Sequence, residues 1–461
     1  MTPAPATQVF QLPDAYSFAA WLGSRLGAER MINLGGRGAE AFRAYRGRPG
    51  RGRRLVPSFQ NCRKLYARDH WTDIDVGGLD HPAVSDELLS ASVVICADAI
   101  DPVRPARWLH ALSRLSSTAL AAVVTVPSAS LATEPTAAIE AFRGLLEAHG
   151  LRPTFVGLTV DDSRRLERNT VIAVLDHCPL EAGRSPPAGF RPLALMATYN
   201  DIDIAPQTVA TLLDDGIDVH LRDNWSTDGT FEQLSELAGR RGGLTVRRFP
   251  DHGPSPHHDL EAMLRWKEGV AILHPGRWII SQDSDEVRCS PWPDITCRGG
   301  LYMAELMGFS AIDMTVCNFR PVHEGFTVGM DPQVEFSHFE FGRRATHFLQ
   351  VKAWRQDRDR IDLIGSGGHD VLTEERRVFP YRFLLKHYPL RSPDQARRKV
   401  FADRKPRYSP QGRARGWHTQ YDEWIPEDDF LWKAEDLIDF EDPGTRNRYL
   451  TEFISGIGIV G

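Results

Sequence analysis

The stretch "RWIISQDSDEV", residues 277–287, sets the question for the whole chain. Its first half is apolar and reads as a buried strand. Its second half places Asp283, Asp285 and Glu286 almost side by side. Carboxylates this close repel one another unless a positive charge sits among them. Along a strand, residues i and i+2 point to the same side, so the spacing predicts that Asp283 and Asp285 face one ion with Ser284 turned away. Oxygen ligands of this kind suit Mg²⁺ or Mn²⁺ better than zinc. Two carboxylates leave coordination positions open, which a diphosphate can fill. An acid-x-acid triplet alone is common and also reads as a solvated loop. Its place after an apolar strand is what favours the ion.

Working outward, the same arrangement recurs upstream. "RPLALMATYN" (191–200) is a strand running into a loop, and "PQTVATLLDDG" (206–216) is a helix closed by Gly216. "IDVHLRDN" (217–224) is a second strand, and "STDGTFEQLSELAGR" (226–240) a helix with Ser226 or Asp228 as its N-cap. "GLTVRRF" (243–249), "HHDLEAMLRWKEGVA" (257–271) and "RWIISQD" continue as strand, helix and strand. Such alternation predicts a largely parallel sheet with packed helices. Ligands of open α/β sheets bind beyond the carboxyl ends of the strands. "TYND", "RDNWSTDGT" and "QDSDEV" all follow strands and are expected to converge on one crevice.

Taken in order, these three motifs resemble the family-2 glycosyltransferases, which have the GT-A type nucleotide-diphospho-sugar transferase fold. The resemblance covers residues 193–390. It implies that Thr198, Tyr199, Asn200, Asp223 and Asn224 hold the nucleoside of a nucleotide-diphosphate sugar donor. It implies that Asp283 and Asp285 hold Mn²⁺ or Mg²⁺ and the diphosphate, with Glu286 in support. "FLLKHYPLRS" (383–392) is similar to the downstream segment in which a histidine completes the metal site, here His387. Arg391 and Lys399 are expected to reach the diphosphate. An inverting transferase also needs a carboxylate to take the acceptor proton. "MDPQVEFSHFEFGRR" (330–344) offers Asp331, Glu335 and Glu340 for that role, with aromatics beside them as an acceptor wall. His369, in "LIGSGGHDV" (363–371), reads equally as a substrate contact or a turn residue. The glycines before it permit close backbone approach. The histidines of "DHGPSPHH" (251–258) read first as loop residues.

Upstream lies a different pattern. "CPLEAGRSPPAGFRP" (178–192) is dense in Pro and Gly and reads as a linker. Before it, "RMINLGG" (30–36), "RRLVPSF" (53–59), "SVVICAD" (92–98) and "LAAVVTVP" (120–127) are strands. Helices fall at 104–115 and 135–150, and "LRPTFVGLTV" with "NTVIAVLDH" reads as a closing pair. "MINLGGRGAE" and "SVVICADAIDPV" resemble the class I S-adenosylmethionine-dependent methyltransferases, with an eroded cofactor loop. Asn33 stands where an acid is usual, and Arg37 and Ala39 where glycines are. Pro57 and Ser58 stand where an acid usually grips the ribose, although Asp98 follows later. S-adenosylmethionine is therefore not expected to bind, and the domain reads as inactive.

The fold class implied is α/β with two Rossmann-like domains. Residues 1–177 are methyltransferase-like, 178–192 the linker, 193–390 the glycosyltransferase domain and 391–461 a mainly helical extension. At 461 residues the chain exceeds one ordinary core. The net charge of −6 and the lack of a basic module argue against nucleic acid. Six scattered cysteines without a C-x-x-C pair suggest neither zinc nor disulfides. No apolar run is long enough to cross a bilayer and no secretory signal is seen, so a cytoplasmic protein is expected. The basic stretch 391–415 reads as a solvated face before it reads as a contact with anionic lipid. A glycan or lipid-linked acceptor and self-association stay open. The leading expectation is a metal-dependent, inverting glycosyltransferase. The alternatives are an enzyme that also methylates its glycan and a non-catalytic nucleotide-binding or assembly module.

Overall fold

The computed structural model describes residues 15–34, 71–74, 84–96, 106–160, 169–342, 347, 349–358, 360–373, 376–414 and 421–442. These divide into two compact units. The first takes the described residues of Met1–Leu180 and of Glu441–Gly461, the second Glu181–Phe440. Both are built on α/β sheets.

The first unit holds β1 (Arg30–Leu34), β2 (Trp71–Ile74), β3 (Ser92–Cys96), β4 (Ala121–Pro127), β5 (Phe155–Val160) and β6 (Asn169–Asp176) in the order β2-β1-β3-β4-β6-β5. β1 to β4 pair in parallel, and β6 runs antiparallel to both β4 and β5. "SVVIC" and "AAVVTV" are unbroken apolar runs because these strands are buried throughout. Val94, Val124, Leu112 and Phe142 form part of one core. β2 comes from "WTDI", which the sequence did not single out. The strand expected at 53–59, and Arg37, Ala39, Pro57, Ser58 and Asp98, lie outside the described residues. Asn33 is buried within β1.

In the second unit β7 (Leu193–Thr198), β8 (Asp218–Asp223), β9 (Leu244–Arg248) and β10 (Trp278–Asp283) form a parallel set in the order β10-β7-β8-β9. Further strands are β11 (Glu286–Cys289), β12 (Ala311–Phe319), β13 (His338–Phe341), β14 (Leu349–Arg355), β15 (Phe383–His387) and β16 (Ile438–Asp439). They extend the sheet as β11-β15-β12-β14-β10, with β13 on β12 and β16 on β13. The helices include α1 (Ala205–Asp214), α2 (Thr230–Arg240), α3 (Leu260–Ala271) and α4 (Cys297–Leu306). Leu193, Leu195, Leu264, Ile279 and Trp354 share a core between sheet and helix.

Three expectations are corrected. Leu180–Arg184, inside the presumed linker, is a helix. Pro179 precedes it and Pro186, Pro187 and Pro192 follow it, so none breaks its hydrogen bonds. Its Gly183 packs so tightly that a Cβ there would meet Met303 Sδ at 2.2 Å. The N-cap of α2 is Gly229, at φ +95°, rather than Ser226 or Asp228; Asp228 instead accepts a bond from the Thr230 N–H at 3.0 Å. In the extension, Pro393–Arg397, Arg398–Arg404, Lys405–Arg407 and Pro410–Ala414 form short helical turns, and residues 421–442 are mostly irregular. Arg391 and Lys399, placed on a solvated face, are buried.

Candidate active site

β7 is the centre strand, and register brings its end level with both neighbours. Thr198 lies opposite Asp223 of β8, and Ala197 opposite Asp283 of β10. The three loops that follow are bonded to one another. The Asn224 N–H donates to Thr198 O at 2.9 Å, and the Asn200 N–H to Ser226 Oγ at 2.9 Å. Ser284 Oγ donates to Asp201 Oδ2 at 2.7 Å, and Thr208 Oγ1 to Ser284 O at 2.9 Å. Asn200 and Trp225 turn the chain at positive φ, 53° and 62°. The convergence comes from backbone register and side-chain ties together.

The acidic triplet is not arranged as the strand periodicity predicts. β10 stops at Asp283, and Ser284 and Asp285 form a turn, so the i, i+2 rule no longer holds. Asp283 Oδ2 accepts from Lys352 Nζ at 2.8 Å, and its Oδ1 lies 3.8 Å from Lys267 Nζ. Lys352 also binds Glu286 Oε1 at 2.6 Å, and Arg288 holds Glu286 Oε2 at 2.7 Å. Asp285 Oδ2 instead accepts from Lys399 Nζ at 2.7 Å, while its Oδ1 faces His387 Nε2 at 3.7 Å. The positive charge that the sequence demanded is thus supplied in part by Lys267, Lys352, Arg288 and Lys399. Glu286 is buried and takes no place at the surface of the site. Among the described residues, no group of three or more His, Cys, Asp or Glu is spaced to hold a metal ion. The set Asp283, Asp285 and His387 is therefore not assembled as one ligand cluster.

Charge states follow these pairings. Burial works against the ionised Asp285, but Lys399, with His387 and Arg391, overrides it and holds the carboxyl well below the usual range. Asp283 is likewise held low, by Lys352 and Lys267 against burial. Burial pushes Lys267 down to about 8. Burial also lowers His387, against the pull of Asp285 and Glu286. Its Nδ1 is hydrogen-bonded to Asn318 Oδ1 at 2.8 Å, and its Nε2 faces Asp285 Oδ1.

At the end of β8, Asp223 is buried. Its Oδ2 accepts from the Ser226 N–H and from Arg248, both at 2.9 Å, and its Oδ1 has no partner. Thr198 Oγ1, its neighbour by register, is also buried and unpartnered. Burial raises the Asp223 carboxyl. Asn200 is spent internally: its side chain binds Asp403 and the Thr227 N–H, both at 2.9 Å. Asn224 Oδ1 accepts from Arg407, whose guanidinium lies 3.9 Å from the Tyr199 ring centroid.

Arg391 is the clearest correction among the named residues. It is fully buried and bonds Asp203 twice at 2.7 Å, Asp201 at 2.8 Å and Tyr388 O at 3.0 Å. Four of its five N–H donors are occupied by protein. It braces the loop after β7 and is not free to meet a diphosphate.

The acceptor-side acids separate by environment. Asp331 caps the short helix Pro332–Glu335, accepting from the Gln333 N–H at 2.9 Å. Glu340 is paired with Arg320 at 2.8 Å. Glu335 is half-buried, and its carboxylate makes no bond among the described residues. The next residue, Phe336, packs on Tyr388 with ring centroids 5.6 Å apart, which ties this helix to the end of β15. His369 Nδ1 is bonded to Gln350 at 2.8 Å, and burial lowers it to about 4. Gly367 and Gly368 take positive φ, and a Cβ on Gly368 would meet Leu264 at 2.9 Å, so the turn and its packing explain the glycines. His258 bonds through its backbone N–H to Arg407 O at 2.8 Å.

Sequence reasoning missed how closely residues 398–407 lie over these loops. Arg398–Arg404 is a π-helix, a form often found at functional sites. From it Lys399 meets Asp285, Asp403 meets Asn200, and Arg398 donates to Asn200 O at 2.9 Å. Arg404 makes no side-chain bond among the described residues, and the charges of Tyr421, Asp201 and Asp285 raise its pKa against burial. The signal was present as the basic run "RRKVFADRKPRY". Lys267 and Lys352 sat unmarked in a helix and a strand, and Asp201 in the "TYND" motif.

No protein-family model matches the chain, and no curated protein matches it in sequence. Solved structures give partial likenesses. The mannosyltransferase from Pyrobaculum calidifontis, in complex with GDP-mannose and Mn²⁺, is 20% identical over 37% of this chain and 46% of its own, with a TM-score of 0.19. Mannosyl-3-phosphoglycerate synthase from Rubrobacter xylanophilus is 19% identical over 31% of this chain and 45% of its own, with a TM-score of 0.20. Phosphoethanolamine N-methyltransferase 2 from Haemonchus contortus, in complex with S-adenosyl-L-methionine, is 9% identical over 64% of this chain and 85% of its own, with a TM-score of 0.18. The chain spans less than half the length of the first two. What the site does is read from its own geometry.

Proposed function

We propose that the second unit transfers a sugar from a nucleotide-diphosphate donor to a hydroxyl of a glycan or lipid-linked acceptor, with inversion. The observation that carries this reading is the meeting of three strand-end loops around two buried, unpartnered oxygens, Asp223 Oδ1 and Thr198 Oγ1. Buried polar atoms normally have partners, so two adjacent orphans at a crevice favour a ligand that brings its own donors. The N–H groups of a base and the hydroxyls of a ribose are such donors. Tyr199 and the Arg407 guanidinium stacked on it supply a flat flank beside them.

Asp285 and His387 fit a divalent cation as a pair. A separation of 3.7 Å is too long for a hydrogen bond but within the span of two ligands each about 2.1 Å from one ion. A proton on Nδ1, shared with Asn318 Oδ1, would leave Nε2 open for ligation. Asp283, held by Lys352, does not belong to that pair. When bound, the ion would offset the charge that develops on the leaving diphosphate. Lys399 bonds Asp285, Arg404 lies within its electrostatic reach, and both add positive charge.

Of the three acids, Glu335 is assigned as the general base because Asp331 and Glu340 are already engaged. The acceptor oxygen forms its bond to the anomeric carbon as its proton passes to the Glu335 carboxylate. The bond from that carbon to the diphosphate oxygen breaks, and its electron pair leaves with the nucleoside diphosphate. The first unit is assigned no methyl transfer; it serves as a scaffold. Cytoplasmic location is part of the same proposal.

The test is a thermal-shift series with nucleoside diphosphates, with and without Mn²⁺, on wild type, Asp223→Ala and Asp285→Asn, followed by donor hydrolysis. A saturating ligand at about 100 times its Kd stabilises the fold by about 2.7 kcal/mol. Asp223→Ala should lose the shift for every nucleotide, and Asp285→Asn only its Mn²⁺-dependent part. A shift without hydrolysis or transfer of any donor would favour the non-catalytic module. Micromolar binding of S-adenosylmethionine would favour the bifunctional enzyme.

A further inference from the structure

Lys399 has a position that a diphosphate contact alone does not explain. Its ammonium lies 2.7 Å from Asp285 Oδ2, on the same carboxylate whose other oxygen faces His387 Nε2 at 3.7 Å. Both partners are buried, with side-chain exposures of 5% and 10%. A buried carboxylate without a counter-charge is costly, so the cation-free site needs this ammonium. A divalent ion on Asp285 and His387 would meet the ammonium at close range, and like charges that near in a low-dielectric pocket repel strongly. The two cations therefore compete for one carboxylate.

The segment that carries Lys399 is anchored by contacts other than Lys399's own. It sits on a π-helical turn between Pro393–Arg397 and the turn at Lys405–Arg407. Its other ties to the loops, Asp403 to Asn200 and Arg407 to Asn224, run through side chains other than Lys399. The ammonium can swing off Asp285 while the segment stays seated.

We propose that Lys399 is an exchangeable counter-ion: it neutralises Asp285 in the cation-free site and turns to the donor diphosphate when a divalent cation occupies Asp285 and His387. This rests on the reading of the site given under the proposed function. It goes beyond it in making cation entry and diphosphate capture one coupled event, with Lys399 as the shared element.

The experiment is Mn²⁺ titration of the full chain, followed by electron paramagnetic resonance of free Mn²⁺, with pyrophosphate affinity then measured at saturating Mn²⁺ by calorimetry. The variants are Lys399→Met and, should that fold poorly, Lys399→Gln. The expected result is Mn²⁺ affinity raised by about tenfold or more, because a competing positive charge is gone. Pyrophosphate affinity at saturating Mn²⁺ should fall by about tenfold, because a charge-assisted contact is lost. Opposite signs in the two titrations mark the exchange; a mere structural brace would weaken both. Unchanged or weaker Mn²⁺ binding in both variants, with wild type binding normally, overturns the exchange and leaves the cation assignment intact. If wild type binds no Mn²⁺, or binds it equally well as Asp285→Asn, the cation assignment fails and the exchange falls with it.

Discussion

Replacing Arg391 by methionine separates a structural from a ligand-binding role at this position. The guanidinium is fully buried, with three bonds to the carboxylates of Asp201 and Asp203 and one to Tyr388 O. The Asp201 and Asp203 side chains are themselves only 3% and 11% exposed. Methionine fills much of the volume but leaves two buried carboxylates without their cation. Breaking such a pair costs about 3–5 kcal/mol, most of it the penalty on the abandoned charges. Arg391→Lys should fall between, since it keeps the charge and loses the fork. Adding Asp201→Asn and Asp203→Asn to Arg391→Met should recover much of the loss, because the uncompensated charge is then removed. Urea denaturation of the full chain reads the stabilities, and calorimetry at low temperature reads nucleoside diphosphate affinity. The reasoning is refuted if Arg391→Met costs less than about 1 kcal/mol while diphosphate affinity drops tenfold or more. That outcome would return Arg391 to the donor site.

Two further outcomes are expected. Glu335→Gln should lower kcat by about 10²–10⁴-fold and leave donor affinity near wild type, since a general base acts on the acceptor proton; an unchanged rate would move the role to another residue. Stability should also fall with acid in a window set by His369. Burial lowers its pKa from 6.5 to about 4, so between those values the unfolded chain binds a proton that the folded chain does not. Stability is then fully present above pH 6.5 and declines as pH drops toward 4, by about 3 kcal/mol in all. Denaturation midpoints at pH 7, 5.5 and 4.5 test this, and His369→Gln should flatten the slope. A steep slope that survives in that variant would assign the acid sensitivity elsewhere.

Periodicity made the sheet framework readable. β7, β8, β9 and β10 and the helices between them follow from the alternation of apolar segments and from Gly216, local signals that tertiary packing did not override. The linker helix escaped because proline density was read as an average, whereas Pro179 precedes the helix and the later prolines follow it. β16 escaped because a strand of two residues has no periodicity to show.

The site divides in the same way. The sequence by itself determined that three polar loops follow strands and that clustered carboxylates need positive charge nearby. Both are consequences of local composition. Which charges answer that need was decided only by tertiary structure. Lys267 comes from α3, Lys352 from β14 and Lys399 from a π-helical turn more than a hundred residues downstream of Asp285. Nothing in the spacing of residues along the chain encodes those encounters. The turn at Ser284 and Asp285 likewise cancelled a periodicity argument that holds only while a strand continues. Arg391 and Lys399 look alike in sequence, as basic residues in one segment. Burial among two aspartates commits the first to the protein, and the carboxylate it shares with His387 opens the second to exchange.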